Sequence, residues 1–344
     1  MRIRAQDENN NFTLLRLLLA LAVVLGHFKL LDGVEYPHFP FNLADAAVDC
    51  FFIVSGFLIA LSYERTRGLW PFYIRRFFRL YPMYATIVLI QAGIMMAMLP
   101  NGPFSAPDST VRYLAANLAF ANFLQYDIGG VVHGLAVPGL NPSLWTLKIE
   151  IAFYAIVPLI FLAMQRWKWK VLAAIFIASV AYQAIALHLG EPRYAKQLPG
   201  QMQFFVVGMA LYLYARDVRV PGWVTLLVSA VFLTSWTWIH PIPPGLCPLL
   251  VGAFVFCTAL CTPVVRMGTD MSYSVYLVHG PILQTSLLLG LYSNTPAMLA
   301  IVLALVLLLG FVFERLVERP GTEFGRRLSR RVSQARAPAV ANVA

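Results

Sequence analysis

Phe12-Thr13-Leu14-Leu15-Arg16-Leu17-Leu18-Leu19-Ala20-Leu21-Ala22-Val23-Val24-Leu25-Gly26-His27-Phe28-Lys29-Leu30-Leu31 decides the fold. Crossing roughly 30 Å of hydrocarbon at about 1.5 Å of helix rise per residue takes about 20 mostly apolar residues. This stretch meets that length, and so do segments near 43–63, 80–99, 143–165, 169–189, 199–215, 221–240, 245–265, 272–291 and 296–315. The sequence therefore predicts an all-α integral membrane protein, a bundle of about ten transmembrane helices. Composition agrees: of 344 residues, 59% are hydrophobic and only 12% charged, against about 25% charged in soluble domains. Mean hydropathy is +0.70. A cytosolic enzyme, a disordered tail and a disulfide scaffold are all excluded on that ground.

The first stretch follows Arg2 and Arg4 as a signal peptide would, but it contains Arg16 and His27 and no small-residue cleavage site follows. It is expected to stay attached. Val111–Tyr126 is too short and too polar to cross, and is expected to be a short re-entrant or interfacial helix. The net charge of +10 fits basic cytoplasmic loops better than nucleic-acid binding. With both termini cytoplasmic, Arg65, Arg67, Arg75, Arg76, Arg79, Arg166, Lys168, Lys170, Arg216, Arg219, Arg266 and the arginines of the tail all fall inside. The outer connections are then 32–42, 100–142, 190–198 and 241–244. The expected division is a transmembrane domain over 1–320 and a disordered, basic cytoplasmic tail over 321–344. Cys50, Cys247, Cys257 and Cys261 lack metal-ligand spacing and read as core residues.

Charged groups inside spans are costly unless paired or hydrated, so they are where chemistry is sought. Arg16 and His27 are 11 residues apart, three turns plus about 20°, which puts them on one helix face about 16 Å apart. Arg16 also reads as a snorkelling anchor, and His27 as a structural histidine. Asp49 is expected at a depth similar to His27, where a carboxylate could fix the tautomer of the imidazole; it also reads as a helix cap. Glu150 belongs to the outer half of its span. Lys148 faces another side of that helix, so Glu150 needs a partner elsewhere. His279 follows Ser272-Tyr273-Ser274-Val275-Tyr276-Leu277-Val278 near mid-span. Phe72–Pro82 reads as a cytoplasmic amphipathic helix running into the third span. Its Arg75 and Arg79 are at i, i+4 spacing and Arg76 and Arg79 at i, i+3, so the three guanidiniums are expected to make one cluster, which suits either a polyphosphate or anionic lipid.

Taken in order, these segments resemble acyltransferase family 3, the integral-membrane bacterial acyltransferases, mostly O-acetyltransferases of glycans. The resemblance rests on Arg16 and His27 at R-x10-H spacing, Asp49-Cys50-Phe51-Phe52-Ile53-Val54-Ser55-Gly56-Phe57, Arg75-Arg76-Phe77-Phe78-Arg79-Leu80-Tyr81-Pro82, Ser143-Leu144-Trp145-Thr146-Leu147 with Glu150, Ser272 through His279, and Glu318-Arg319-Pro320. It covers nearly the whole chain. One departure stands out: many members carry two adjacent acidic residues where this chain has Glu150-Ile151.

The resemblance implies transfer of an acyl group, commonly acetyl, from cytoplasmic acyl-CoA to a hydroxyl of an extracytoplasmic glycan such as an exopolysaccharide or lipopolysaccharide repeat. His27 would be catalytic, oriented by Asp49 or Glu150. Arg16, Arg75, Arg76 and Arg79 would bind the donor. Ser143, Trp145, Tyr154 and His279 are candidates for contact with substrate. Acetyl-CoA enters as donor substrate, with no resident cofactor or metal. The enzyme would sit in the bacterial inner membrane, with self-association left open. Some relatives carry an additional hydrolase-like domain, and the short stretch after Pro320 implies that here the bundle acts alone or with a separate partner. A neutral imidazole, with an unperturbed pKa of about 6.5, suits a general base near pH 7; a covalent acyl-histidine is the competing route. The alternative function is a transporter or flippase for a lipid-linked sugar or anion, although no inverted pair of broken helices marks a midplane site.

Overall fold

The computed structural model describes residues 10–31, 40–66, 68–137, 139–239 and 241–335. Residues 32–39 of the expected outer connection lie outside the described residues, as do Arg2, Arg4, Arg67, Arg336 and the rest of 336–344. All described elements are helical: α1 (Phe12–Leu30), α2 (Ala44–Arg65), α3 (Leu69–Ala97), α4 (Pro107–Leu118), α5 (Trp145–Trp167), α6 (Trp169–His188), α7 (Pro192–Ala195), α8 (Leu198–Ala210), α9 (Gly222–Thr234), α10 (Leu246–Leu260), α11 (Ser272–Leu288), α12 (Pro296–Phe313) and α13 (Arg319–Ala335).

Each of the ten expected spans holds a helix, but only 7 of the described helical stretches are long and apolar enough to cross a membrane. The shortfall lies in α8, α10 and α11, which are 13, 15 and 17 residues long. Helix α11 gains its place by burial instead: every residue from Ser272 to Pro281 is buried, as expected of a helix packed on all sides. It packs chiefly on α12 and α1.

Small residues set the closest crossing, between α2 and α8. A Cβ on Gly56 would lie 2.1 Å from the Phe205 carbonyl oxygen, and one on Gly208 2.0 Å from that of Ile53. Hydrophobic burial alone does not select which helices meet in lipid, so small residues that admit close backbones do much of the selecting.

The amphipathic Phe72–Pro82 segment runs into the third span as expected, with Pro82 inside the single 29-residue helix α3. Two expectations change. The segment expected to be re-entrant forms a helix only over Pro107–Leu118; it buries Tyr113 and Asn117 and packs on α3, where the Tyr113 hydroxyl donates to Gln91 Oε1 at 3.1 Å. The tail over 321–335 is an ordered helix rather than a disordered segment. Gly321, Gly325 and Ser329, one turn apart, form a small-residue stripe of α13 against α3, where Ser329 Oγ donates to the Pro71 carbonyl at 3.0 Å.

Candidate active site

Two cavities lie back to back in the bundle. One, of about 100 Å³, is lined by Arg16, Arg76, Arg79, Ser55, Glu150 and Tyr154 among others. The other, of about 890 Å³, is lined by His27, Asp45, Ser143, Trp145, Lys148 and Lys196 among others. Val48 and Tyr276 line both. The Tyr276 hydroxyl is held by Thr146 Oγ1 at 3.0 Å and by the Ser143 carbonyl at 3.3 Å, so this side chain forms the partition.

On the histidine side, a proline builds the site. Pro281 has no N–H, so the Leu277 carbonyl four residues earlier loses its helical partner. Asn141 Nδ2 donates to that carbonyl at 2.9 Å. Gly280 admits the approach: a Cβ there would lie 2.5 Å from Asn141 Oδ1. The same Oδ1 accepts from the Ser143 N–H at 3.1 Å, which sets Ser143 Oγ 3.1 Å from His279 Nε2. His279 is 0% exposed. Its Nε2 also lies 2.8 Å from His27 Nδ1, and the two rings stack at 5.1 Å between centroids.

One arrangement of protons fits this geometry. His279 Nδ1 faces the Val275 and Tyr276 carbonyls of the preceding turn without a full hydrogen bond. A proton placed there meets acceptors, whereas a lone pair would face two carbonyl oxygens. With Nδ1 protonated, the single Nε2 lone pair is shared between His27 Nδ1–H and Ser143 Oγ–H, and His27 Nε2 keeps its lone pair. His27 itself is only half-buried and lines the wide cavity.

On the other side, an ion network closes the bundle. Arg16 reaches Asp270 at 2.5 Å, and Arg79 lies 3.6 Å from the same carboxylate. Arg79 also pairs with Glu318, whose other oxygen accepts from Ser274 Oγ at 2.6 Å. Burial pushes the Asp270 carboxyl up, but the two guanidiniums and the hydrogen bonds from Ser272 outweigh this and hold it below its ordinary range. Arg76 donates from Nη2 to Ser62 Oγ at 3.0 Å and lies over the Tyr154 ring at 5.8 Å. Its Nε is buried without a partner. Glu150 accepts from the Tyr154 hydroxyl and from Ser55 Oγ at 3.2 Å.

The candidate residues therefore divide. His27, Ser143, Trp145 and His279 gather on the histidine side, although His279 touches His27 rather than the open cavity. Glu150 and Tyr154 belong to the arginine side, so neither orients His27, and Tyr154 does not face the wide cavity. Glu150 finds its partner one turn along its own helix. Asp49 makes no hydrogen bond to His27 and lines neither cavity; Asp45, one turn earlier on α2, is the carboxylate whose charge reaches His27. The three arginines of α3 do not form one cluster: Arg79 is neutralised, Arg76 enters the cavity, and Arg75 turns to α13, where Nε donates to Ser329 Oγ at 2.9 Å beside Arg326 and Arg330. Among the described residues no carboxylate bridges Arg75, Arg326 or Arg330. Sequence reasoning missed Asp45, Asp270, Arg326 and Arg330. Asp270 was findable, since it stands two residues before the Ser272–His279 motif.

A family model described as "Acyltransferase domain" (Acyl_transf_3) matches residues 9–315. The chain belongs to this acyltransferase family. It is 27% identical over 300 residues to a putative membrane-bound transacylase, BcsY, of Komagataeibacter xylinus, covering 81% of this chain and 77% of that one. It is 26% identical over 304 residues to an O-acetyl transferase of Shigella phage Sf6, covering 83% and 89%. It is also 26% identical over 314 residues to the exopolysaccharide production protein ExoZ of Rhizobium meliloti, covering 85% and 93%. No solved structure matches. The chain is thus a membrane acyltransferase, and the two cavities are where its chemistry is to be sought.

Proposed function

We propose that this acyltransferase moves an acetyl group from acyl-CoA, held at the arginine end, to a hydroxyl of an extracytoplasmic glycan held in the histidine cavity. The observation that carries this reading is the back-to-back pair of cavities, one presenting an arginine with an unmet donor and the other a half-buried histidine. The relatives named for O-acetyl transfer and exopolysaccharide production support the acyl group and the acceptor class. The basic loops at the arginine end support placing it in the cytoplasm of a bacterium, with both termini inside and the bundle in the inner membrane.

His27 Nε2 takes the proton of the acceptor hydroxyl as its oxygen attacks the thioester carbonyl. The C–S bond then breaks, and the imidazolium returns the proton to the departing CoA sulfur. For the reactants to meet, the Tyr276 side chain must leave Thr146 and Ser143, so it acts as the gate between the two spaces. The adenosine phosphates are gripped by Arg75, Arg326 and Arg330, with Arg76 deeper in; Arg16 and Arg79 serve to hold the cavity wall.

Oriented vesicles test this. With labelled acetyl-CoA supplied only at the arginine face and oligosaccharide only at the other, labelled ester is expected on the oligosaccharide. Acyl transfer that requires both substrates on the same face would overturn the reading.

A further inference from the structure

The histidine cavity carries positive charge at the end of the bundle where it is least expected. Connections on the far side of a membrane are depleted of Lys and Arg, yet Lys148, Arg193 and Lys196 all line this cavity. Lys148 is half-buried in the first turn of α5, with its ammonium 4.8 Å over the Phe123 ring and, among the described residues, no carboxylate bridging it. A lysine kept within a membrane-spanning segment calls for a partner or water. Arg193, on α7, likewise meets no carboxylate among the described residues. Only Lys196 is paired, with Asp45 at 3.2 Å, and both side chains are at least half exposed, so that pair is weak. Beside the cations lies a flat apolar face, that of Trp145, with Lys196 Nζ 5.9 Å over its ring. Indole faces of this kind stack on sugar rings, and at about 890 Å³ the space lies in the range of ligand sites.

We infer that the acceptor is an anionic glycan, in which a carboxylate or phosphate beside the acylated sugar meets Lys148 and Arg193 while the ring lies against Trp145. This rests on the proposed use of the histidine cavity as the acceptor site. The cations raise the local concentration of a negatively charged acceptor and orient it, and their contacts are charge-assisted hydrogen bonds. The same anion could be a uronate on the glycan or the diphosphate of a lipid-linked sugar, and the experiment separates these.

Initial rates are measured with purified protein and acetyl-CoA on three acceptors: a uronate-containing oligosaccharide, the same oligosaccharide with its carboxyl groups reduced to alcohols, and a neutral sugar on a lipid diphosphate. The expected result is a kcat/KM about ten- to a hundred-fold higher for an anionic acceptor than for the neutral one, with the ratio shrinking as salt is added. Preference for the uronate places the anion on the sugar, and preference for the third acceptor places it on the lipid carrier. In Lys148→Met with Arg193→Gln the ratio falls to about one. Equal kcat/KM for charged and neutral acceptors in the unmodified protein overturns the inference while leaving acyl transfer intact. Failure to acylate any of the three, with donor still bound, overturns the proposed function itself. Because the wild-type ratio and its salt dependence are decisive alone, a variant that does not fold leaves the test standing.

Discussion

Replacing His279 with Leu removes the acceptor shared by Ser143 Oγ and His27 Nδ1 while keeping an apolar side chain of similar size in a fully buried site. Two consequences follow from the geometry. The Ser143 hydroxyl loses a buried partner, at about 1–3 kcal/mol. His27 loses the contact that fixes both its ring plane and its tautomer. A base held in the wrong tautomer costs about 10⁴ in the serine-protease triad; here the tautomer becomes unspecified rather than wrong, and a misplacement of about 1 Å costs about 10². The expected loss in kcat is therefore about 10². In His279→Gln the terminal amide oxygen reaches the place of Nε2 and can accept both hydrogen bonds, so kcat should return to within about ten-fold of the unmodified protein. The assay is acyl transfer under saturating donor, with acetyl-CoA affinity measured separately and expected to be unchanged, since His279 lines neither cavity. A Leu variant with undiminished kcat would refute the positioning role. Equal losses in Leu and Gln would assign the effect to packing.

Three more outcomes follow from the same structure. Asp270, whose carboxyl is held below its ordinary range, adds stability that is present above about pH 4 and lost as pH falls through its folded value; thermal unfolding across acid pH should show Asp270→Asn less stable than the unmodified protein near neutrality and converging with it below that range. Gly56→Ala forces a Cβ against the Phe205 carbonyl oxygen and should destabilise the α2–α8 crossing by about 1–3 kcal/mol, read as a drop of several degrees in Tm. Arg326→Gln with Arg330→Gln should raise KM for acetyl-CoA several-fold with kcat kept, and the difference should vanish at high salt; an unchanged KM at low salt would remove these arginines from the donor site.

The helices were legible because lipid imposes a length and an apolar composition that a linear sequence displays directly. What escaped was partnership. Asp45 and Asp49 lie one turn apart on α2, so depth reasoning alone could not choose between them. The structure chooses Asp45 because α2 begins at Ala44 and its first turn opens onto the cavity. Glu150 was sought near His27, but its start point on α5 puts it beyond the Tyr276 partition. The His27–His279 contact joins residues 252 positions apart, and no periodicity encodes that. The cause of the contact was visible locally, however: a Gly280-Pro281 step that opens a carbonyl, and an Asn141-Pro142-Ser143 turn to fill it. In the tail, abundant arginine suggested a solvated segment, while Gly321, Gly325 and Ser329 at four-residue spacing held the packing signal.

The central claim is that His27 removes the acceptor proton. The direct measurement is single-turnover acyl transfer by His27→Ala, preloaded with acetyl-CoA and shown by binding to hold it as the unmodified protein does. The account predicts that donor affinity persists and transfer falls by about 10²–10⁴, the usual share of a general base. Transfer at the unmodified rate with donor bound would contradict it.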